Sequence, residues 1–349
     1  MSPNTARPAA TIPDTDMSGL VGWLRTVGVR PEGEIGCSRV GFGQSNLTYV
    51  IHDEMGGRWV LRRPPVGHLL ASAHDVEREA RILAGLAGTD VPVPQIYGVC
   101  TDETVSPVPV VAMEFVAGTV LTDRIAGESI SPDIRHEVGQ SMIDTLAHIH
   151  AVDLDAVGLS DLASHKPYAA RQLKRWSAQW EQSKSRDIPE LDDLTRRLAA
   201  NIPEQHETAL VHGDFHIRNV MIDPTSGAVT AALDWELATL GDPLADIGST
   251  LAYWPAVTDV LLGEPVEIMD GFPTRAELAD AYLARTGRDR DALAYWQTLG
   301  LWKVAIIAEG VLRRAQDNPA NRAAAGVPTP AHVDNFVARA VAVADDAGL

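Results

Sequence analysis

The chain has 349 residues, more than one hydrophobic core usually serves, so two lobes with substantial interiors are expected and a cleft between lobes is the default ligand site. Its 29 basic and 47 acidic residues give a formal charge of -18, with no long basic run, which argues against nucleic acid or an anionic membrane as partner. One anionic ligand in a locally positive pocket stays compatible with that charge.

Residues 1–16 mix proline, threonine, alanine and aspartate without an apolar stretch and read as a mobile tail, not a signal peptide. Helical spacing follows over 17–27, and glycine and proline then break the pattern. The β-rich runs 47–51 and 58–61 flank a turn at 53–57, which predicts a hairpin. Val76, Ala80, Leu83 and Leu86 recur at helical spacing within 72–86, and strands are expected at 95–99 and 108–115. Beyond Gly118 the texture turns helical. Ile134, Val138, Met142, Leu146 and Ile149 form a stripe ending at His150, and helical patterns return over 168–200 and from 275 onward. Between 209 and 234, short β-rich runs flank the turn at 223–227.

The order predicts an α+β protein: the tail, a small β-rich lobe with one helix over 17–115, and a larger helical lobe carrying one β-hairpin over 116–349. Trp176, Trp180, Trp254, Trp296 and Trp302 fall in the helical lobe, mostly as core, with room for a few to line an apolar substrate pocket. The apolar stretch 299–312 carries Lys303 and Glu309, and no run approaches the roughly 20 residues of a membrane span. Two cysteines, Cys37 and Cys100, make neither a disulfide framework nor a zinc spacing, so a reducing, cytoplasmic setting is expected.

The most informative stretch is His212-Gly213-Asp214-Phe215-His216-Ile217-Arg218-Asn219, followed fifteen residues after Asn219 by Asp234-Trp235-Glu236. Phosphoryl transfer needs a carboxylate near the attacking hydroxyl and oxygen ligands for magnesium. Asn219 is expected to open one strand of the hairpin and Asp234 to close the other, which returns both to one end, beside the tight loop of Asp214. Asp242 and Pro243 read as a helix start, Asp246 is a candidate brace for the loop, and His212 and His216 are expected to support it through hydrogen bonds.

With these motifs the chain resembles the aminoglycoside phosphotransferase and choline kinase-like superfamily, relatives of protein kinases, over nearly all of its length after the tail. The resemblance implies a protein-kinase-like two-lobed fold, ATP and Mg2+ as cofactors, and a small-molecule hydroxyl as substrate. It makes Asp214 the catalytic base or hydroxyl-orienting group, and Asn219 and Asp234 metal ligands. For Glu236 a second-ion role and a surface or hydrogen-bonding role stay equally open.

Upstream, Gly41-Phe42-Gly43-Gln44-Ser45-Asn46 stands where such kinases place a phosphate-covering loop, with Asn46 in place of the third glycine. No lysine precedes Lys166, so Arg62 takes the position of the strand lysine that meets the phosphates, with Glu79 as its helical partner. Met113-Glu114-Phe115-Val116 matches the adenine hinge, where the Glu114 carbonyl and Val116 amide would read the purine edge. The arginine variant and the run Arg62-Arg63-Pro64-Pro65 resemble the branch of phosphotransferase domains associated with acyl-CoA dehydrogenase modules, which implies hydroxyacyl thioesters or hydroxy acids as acceptors. An aminoglycoside, amino-alcohol or sugar kinase, and a nucleotide-binding pseudokinase, are the alternatives. The sequence leaves a homodimer open.

Overall fold

The computed structural model describes residues 11–40, 46–66, 75–164, 166–318 and 326–349. The chain divides into two compact units, Met1–Gly88 with Val93–Ala117, and Thr89–Pro92 with Gly118–Leu349.

In the first unit, helix α1 (Met17–Thr26) starts at Asp16, whose carboxylate accepts from the Ser18 N–H at 3.0 Å. An antiparallel sheet follows, made of β1 (Gly36–Val40), β2 (Leu47–His52), β3 (Arg58–Arg63), β4 (Ile96–Cys100) and β5 (Val110–Glu114), in the order β1-β2-β3-β5-β4. The β2–β3 turn closes on Asp53, which accepts from the Gly57 N–H at 2.7 Å and from the Glu32 N–H at 2.9 Å. Side chains alternate across the sheet as the pleat requires. Tyr49, Ile51 and Leu61 join Leu20 and Leu24 of α1 in one core, while Val60 packs against Val76 and Ala80 of α2 (Val76–Leu86) in another. Val110 to Met113 of β5 are all buried, as in a strand covered on both faces. The sequence reading misses β1, which buries only Cys37 and so carries almost no apolar alternation.

The second unit contains α3 (Arg124–Glu128), α4 (Pro132–His150), α5 (Tyr168–Ser183) and α6 (Pro189–Ala200). The chain then forms β6 (Ala209–Val211), β7 (Val220–Ile222), β8 (Val229–Ala232) and β9 (Thr239–Gly241), before α7 (Leu244–Tyr253), α8 (Arg275–Thr286), α9 (Arg290–Asp317) and α10 (Pro330–Asp346). Helix α4 begins with Ser131 accepting from the Ile134 N–H and buries Val138, Met142, Leu146 and Ile149, the face its stripe predicts. Two small antiparallel pairs stand among the helices, β7 with β8 across the turn at 223–227, and β6 with β9. The second pair is absent from the sequence reading, because three residues give no readable period.

Helix α9 buries most of its residues, from Leu293 to Ala315, over a broad face, so its apolar residues show no single narrow stripe. It crosses α7 at a pair of glycines. A Cβ on Gly248 would lie 2.5 Å from the Trp296 carbonyl, and one on Gly300 would lie 2.7 Å from the Gly248 carbonyl oxygen. This close approach brings both helices to the loop that follows β6. No helix among the described residues is long and apolar enough to cross a membrane.

Candidate active site

Strand β6 leads into Gly213, whose φ of +83° belongs to the left-handed region, and whose absent Cβ would meet the Leu237 carbonyl oxygen at 2.7 Å. The loop is gripped through its backbone. Asp246 of α7, 1% exposed, accepts from the His212 N–H at 2.5 Å and the Gly213 N–H at 2.8 Å, the bracing role its sequence position suggests. The Asp242 carboxylate accepts from the Leu244 N–H at 2.9 Å, while Pro243 takes the cap position itself, one residue later than its sequence position suggests. On its far side Asp246 meets His150 Nε2 at 3.3 Å, and His150 Nδ1 lies 2.7 Å from the Tyr282 hydroxyl.

His212 joins the two halves of the site. Its Nδ1 accepts from the Asp214 N–H at 3.3 Å, which leaves Nε2 to donate to the Leu233 carbonyl at 2.9 Å, next to Asp234. Burial pushes the His212 imidazole below its ordinary pKa, so at neutral pH it holds both contacts as a neutral ring. It packs against Phe215 and Trp235, both fully buried.

Asn219 donates from Nδ2 to the Asp214 carbonyl oxygen at 2.9 Å and to the Asp214 carboxylate at 3.2 Å. It ends a single 3₁₀ turn, Ile217–Asn219, so it precedes β7 and does not open it. Asp234 lies two residues beyond the end of β8. The Leu233 N–H nevertheless donates to the Asn219 carbonyl at 2.8 Å, which carries the β7–β8 register one step further and sets Asp234 beside Asn219. Asp234 has φ 64° and ψ 62°, a left-handed conformation that costs a non-glycine residue roughly 1 to 3 kcal/mol and is concentrated at functional sites. Glu236 sits half-buried in the next turn, Trp235–Leu237.

Among the described residues no three His, Cys, Asp or Glu side chains converge as a metal cluster. Asn219 keeps its amide oxygen once Nδ2 is committed to Asp214, and Asp234 follows the residue whose N–H meets the Asn219 carbonyl. A sparse set of hard oxygens suits magnesium, which keeps several waters, and not zinc.

Burial opposes the charge of Asp214, but the hydrogen bond and charge of His216, with Lys303 and His212, outweigh it and hold the carboxyl down at about 2. Asp214 is thus a carboxylate at neutral pH. His216 Nδ1 accepts from the Arg218 N–H, so its Nε2 carries the proton and faces the Asp214 carboxylate at 3.5 Å. Two further residues reach Asp214 that the sequence reading does not single out for the site. Tyr253, at the end of α7, points its hydroxyl at Asp214, and burial followed by the Asp214 charge pushes its phenol up. Lys303 of α9 donates to the Gly213 carbonyl at 3.0 Å. A lone cation inside the apolar stretch 299–312 was the signal for Lys303; for Tyr253 the sequence holds none.

In the first unit Arg62 Nε donates to Glu79 Oε2 at 2.7 Å and Nη1 to the Thr48 hydroxyl at 3.3 Å, with Arg62 16% and Glu79 5% exposed, so α2 fixes the guanidinium against the sheet as the sequence suggests. Asn46 is 6% exposed, and among the described residues neither of its side-chain amide atoms meets a hydrogen-bond partner. Gly41, Gly43, Gln44 and Ser45 lie outside the described residues. Glu114 ends β5 opposite Trp59, its carboxylate accepting from the Gln95 N–H at 3.2 Å, and Val116 follows two residues later.

The model of the phosphotransferase enzyme family matches residues 36–296, which contain every side chain of this cluster except Lys303. The chain belongs to the phosphotransferase enzyme family. Acyl-CoA dehydrogenase family member 10 of Mus musculus is 34% identical over 329 residues, covering 93% of this chain and 30% of that protein. Acyl-CoA dehydrogenase family member 11 of Rattus norvegicus is 34% identical over 280 residues, covering 78% and 35%. This phosphotransferase chain therefore spans about a third of the length of the curated relatives it matches. The crystal structure of a protein assigned as an aminoglycoside phosphotransferase from Ralstonia eutropha is 31% identical, with a TM-score of 0.75 over 95% of this chain and 97% of its own. The fold is thus the kinase-like α+β fold, a small antiparallel unit and a larger helical one.

Proposed function

We propose that the protein is an ATP- and magnesium-dependent kinase that moves the γ-phosphate to a hydroxyl group of a small molecule. The observation that carries this reading is the Asp214–Asn219–Asp234 cluster, in which a carboxylate kept ionised, an amide locked to it and a strained aspartate share one end of the β7–β8 hairpin.

Asp214 accepts a hydrogen bond from the acceptor hydroxyl and aims its oxygen at the phosphorus. A carboxylate with a pKa near 2 is a weak base, so it orients the hydroxyl throughout and takes the proton only as the new P–O bond forms. Asn219 and Asp234 would hold the magnesium, whose charge, when bound, offsets that of the phosphates. Arg62, held by Glu79, is the cation this reading assigns to the α- and β-phosphates, a group a guanidinium can meet bidentately. His212, Asp246 and Lys303 hold the loop so that none of these groups reorganises during the transfer. The relatedness to acyl-CoA dehydrogenase family members supports a hydroxy acid or hydroxyacyl thioester as acceptor.

The test is ADP release with Mg-ATP and a panel of hydroxy acids, hydroxyacyl-CoAs, choline analogues, sugars and aminoglycosides, run beside Asp214→Ala. Release by the wild type with at least one acceptor, and a loss of a hundredfold or more in the variant, is the expected result (about 3 kcal/mol of transition-state stabilisation). Equal release by both proteins ends the kinase reading, and tight Mg-ATP binding with no turnover on any acceptor turns it to the pseudokinase.

A further inference from the structure

Behind the candidate active site, the grip of Asp246 on the loop continues outward as a chain of hydrogen bonds that ends at the surface of the second unit. Arg288, in the turn between α8 and α9, donates from Nε and Nη2 to the two carboxylate oxygens of the exposed Glu207, at 3.1 and 2.6 Å. Its Nη1 donates to the Tyr282 hydroxyl oxygen at 3.2 Å. That oxygen lies 2.7 Å from His150 Nδ1, and His150 Nε2 lies 3.3 Å from Asp246 Oδ2. Tyr282, His150 and Asp246 are all buried, so these contacts form away from bulk water, where each counts for more.

The two ends of the chain leave one arrangement of its protons. A guanidinium only donates, and a carboxylate only accepts. His150 therefore carries a hydrogen on Nε2, where it meets Asp246. Burial outweighs the pull of Asp246 and, with the Arg288 charge, pushes the His150 imidazole below its ordinary pKa, so the ring is neutral and Nδ1 holds a lone pair. That lone pair takes the Tyr282 hydrogen, while the Tyr282 oxygen takes one from Arg288. The opposite tautomer would turn a bare Nε2 toward the Asp246 carboxylate, two acceptors face to face in a buried site. Asp246 Oδ2 also accepts from the His212 N–H and Oδ1 from the Gly213 N–H, so the tautomer of His150 bears on the backbone that carries Asp214.

We propose that Tyr282 and Arg288 are positioning residues for Asp214: they fix the tautomer of His150, which holds Asp246 where it grips the His212 and Gly213 N–H groups. The consequence for phosphotransfer rests on the kinase reading, while the consequence for the loop does not. Glu207 holds the outer end by engaging Arg288 on two nitrogens, which leaves Nη1 aimed at Tyr282. Tyr282→Phe removes one oxygen and keeps the ring, so the core stays filled and only the relay is cut.

The test joins NMR without nucleotide to kinetics, on the wild type, Tyr282→Phe and Arg288→Met. Nitrogen-15 shifts of the wild type near neutral pH are expected to show His150 protonated on Nε2 and bare on Nδ1. In both variants the amides of His212 and Gly213 are expected to exchange with solvent about tenfold faster relative to Leu146 in α4 and Ile306 in α9, whereas a merely structural loss speeds all four together. With an acceptor found by ADP release, Tyr282→Phe is expected to lower kcat about tenfold and to leave both KM values within about twofold. A wild-type His150 protonated on Nδ1 overturns the proposal, and so do loosened amides with an unchanged kcat. A folded variant whose two loop amides stay in step with the reference pair removes that residue from the role. Should Tyr282→Phe fail to fold, the wild-type tautomer and Arg288→Met decide. If no acceptor is turned over, the kinase reading fails by itself and the exchange rates still decide whether the relay holds the loop.

Discussion

Replacing Gly248 by alanine puts a methyl carbon 2.5 Å from the carbonyl of Trp296 in α9, a backbone group that no rotamer change can move aside. Restoring an ordinary 3.4 Å contact requires the two helices to separate locally by about 0.9 Å. Alanine in a helix gains about 1 kcal/mol over glycine, and overpacking a close-packed contact costs typically 1 to 3 kcal/mol. With backbone as the obstacle the upper part of that range applies, so a net destabilisation of about 2 kcal/mol follows, or a fall of roughly 4 to 8 °C in Tm for a unit of this size. Gly22, exposed in α1 with no atom within 4 Å of its would-be Cβ, is the control, and Gly22→Ala is expected to stabilise by about 0.5 to 1 kcal/mol. Asp246 lies two residues before Gly248, so the shift should also loosen the grip on His212 and Gly213 and lower kcat more than it raises KM. Calorimetry of both variants beside the wild type measures the effect. A Gly248→Ala protein as stable as Gly22→Ala would refute the reasoning, because the α7–α9 crossing would then have slack that the geometry denies.

Acid should destabilise the second unit through its buried imidazoles. Burial lowers the folded-state pKa of His150 and of His212 below the unfolded value near 6.5, so their contribution is full above that pH and falls as the pH drops through it, because the unfolded chain then binds protons that the folded one refuses. Urea titrations between pH 7 and 5 should show a slope of up to about 1.4 kcal/mol per pH unit for each histidine, and His150→Gln should remove one share. Asp214 acts in a lower window, stabilising above an unfolded value of about 3.9 and losing that effect as pH falls toward about 2. In the first unit, Glu79→Gln weakens the hold on Arg62 and is expected to raise KM for ATP about tenfold, near 1.4 kcal/mol, with kcat little changed. An unchanged KM would remove Arg62 from the phosphate site.

Much of this was legible because the informative residues are close in sequence and their chemistry is narrow. The spacing of Asn219 and Asp234 around a short hairpin puts both at one end of it, and the helical stripe of α4 determines which face it buries. The Arg62–Glu79 pair was legible through the family resemblance, which puts a cation at the Arg62 strand position and a carboxylate on the following helix. Other features depend on contacts between elements far apart in the chain, which no local pattern records. Lys303 reaches Gly213 across 90 positions, the α7–α9 crossing needs two glycines that each look like ordinary helix breakers, and Tyr253 falls on Asp214 only because α7 ends there. Strands β1 and β9 were missed for a simpler reason: a short or exposed strand buries too little to leave an alternation in the sequence.

The account depends on Asn219 and Asp234 sharing one divalent ion, and Mn2+ titration followed by electron paramagnetic resonance, with ADP present, tests this most directly. The wild type is expected to bind the ion with nucleotide, and Asn219→Ala and Asp234→Ala are each expected to weaken that binding tenfold or more while folding normally. Binding unchanged in both variants would contradict the assignment of these side chains as ligands, and with it the phosphotransfer geometry built on them.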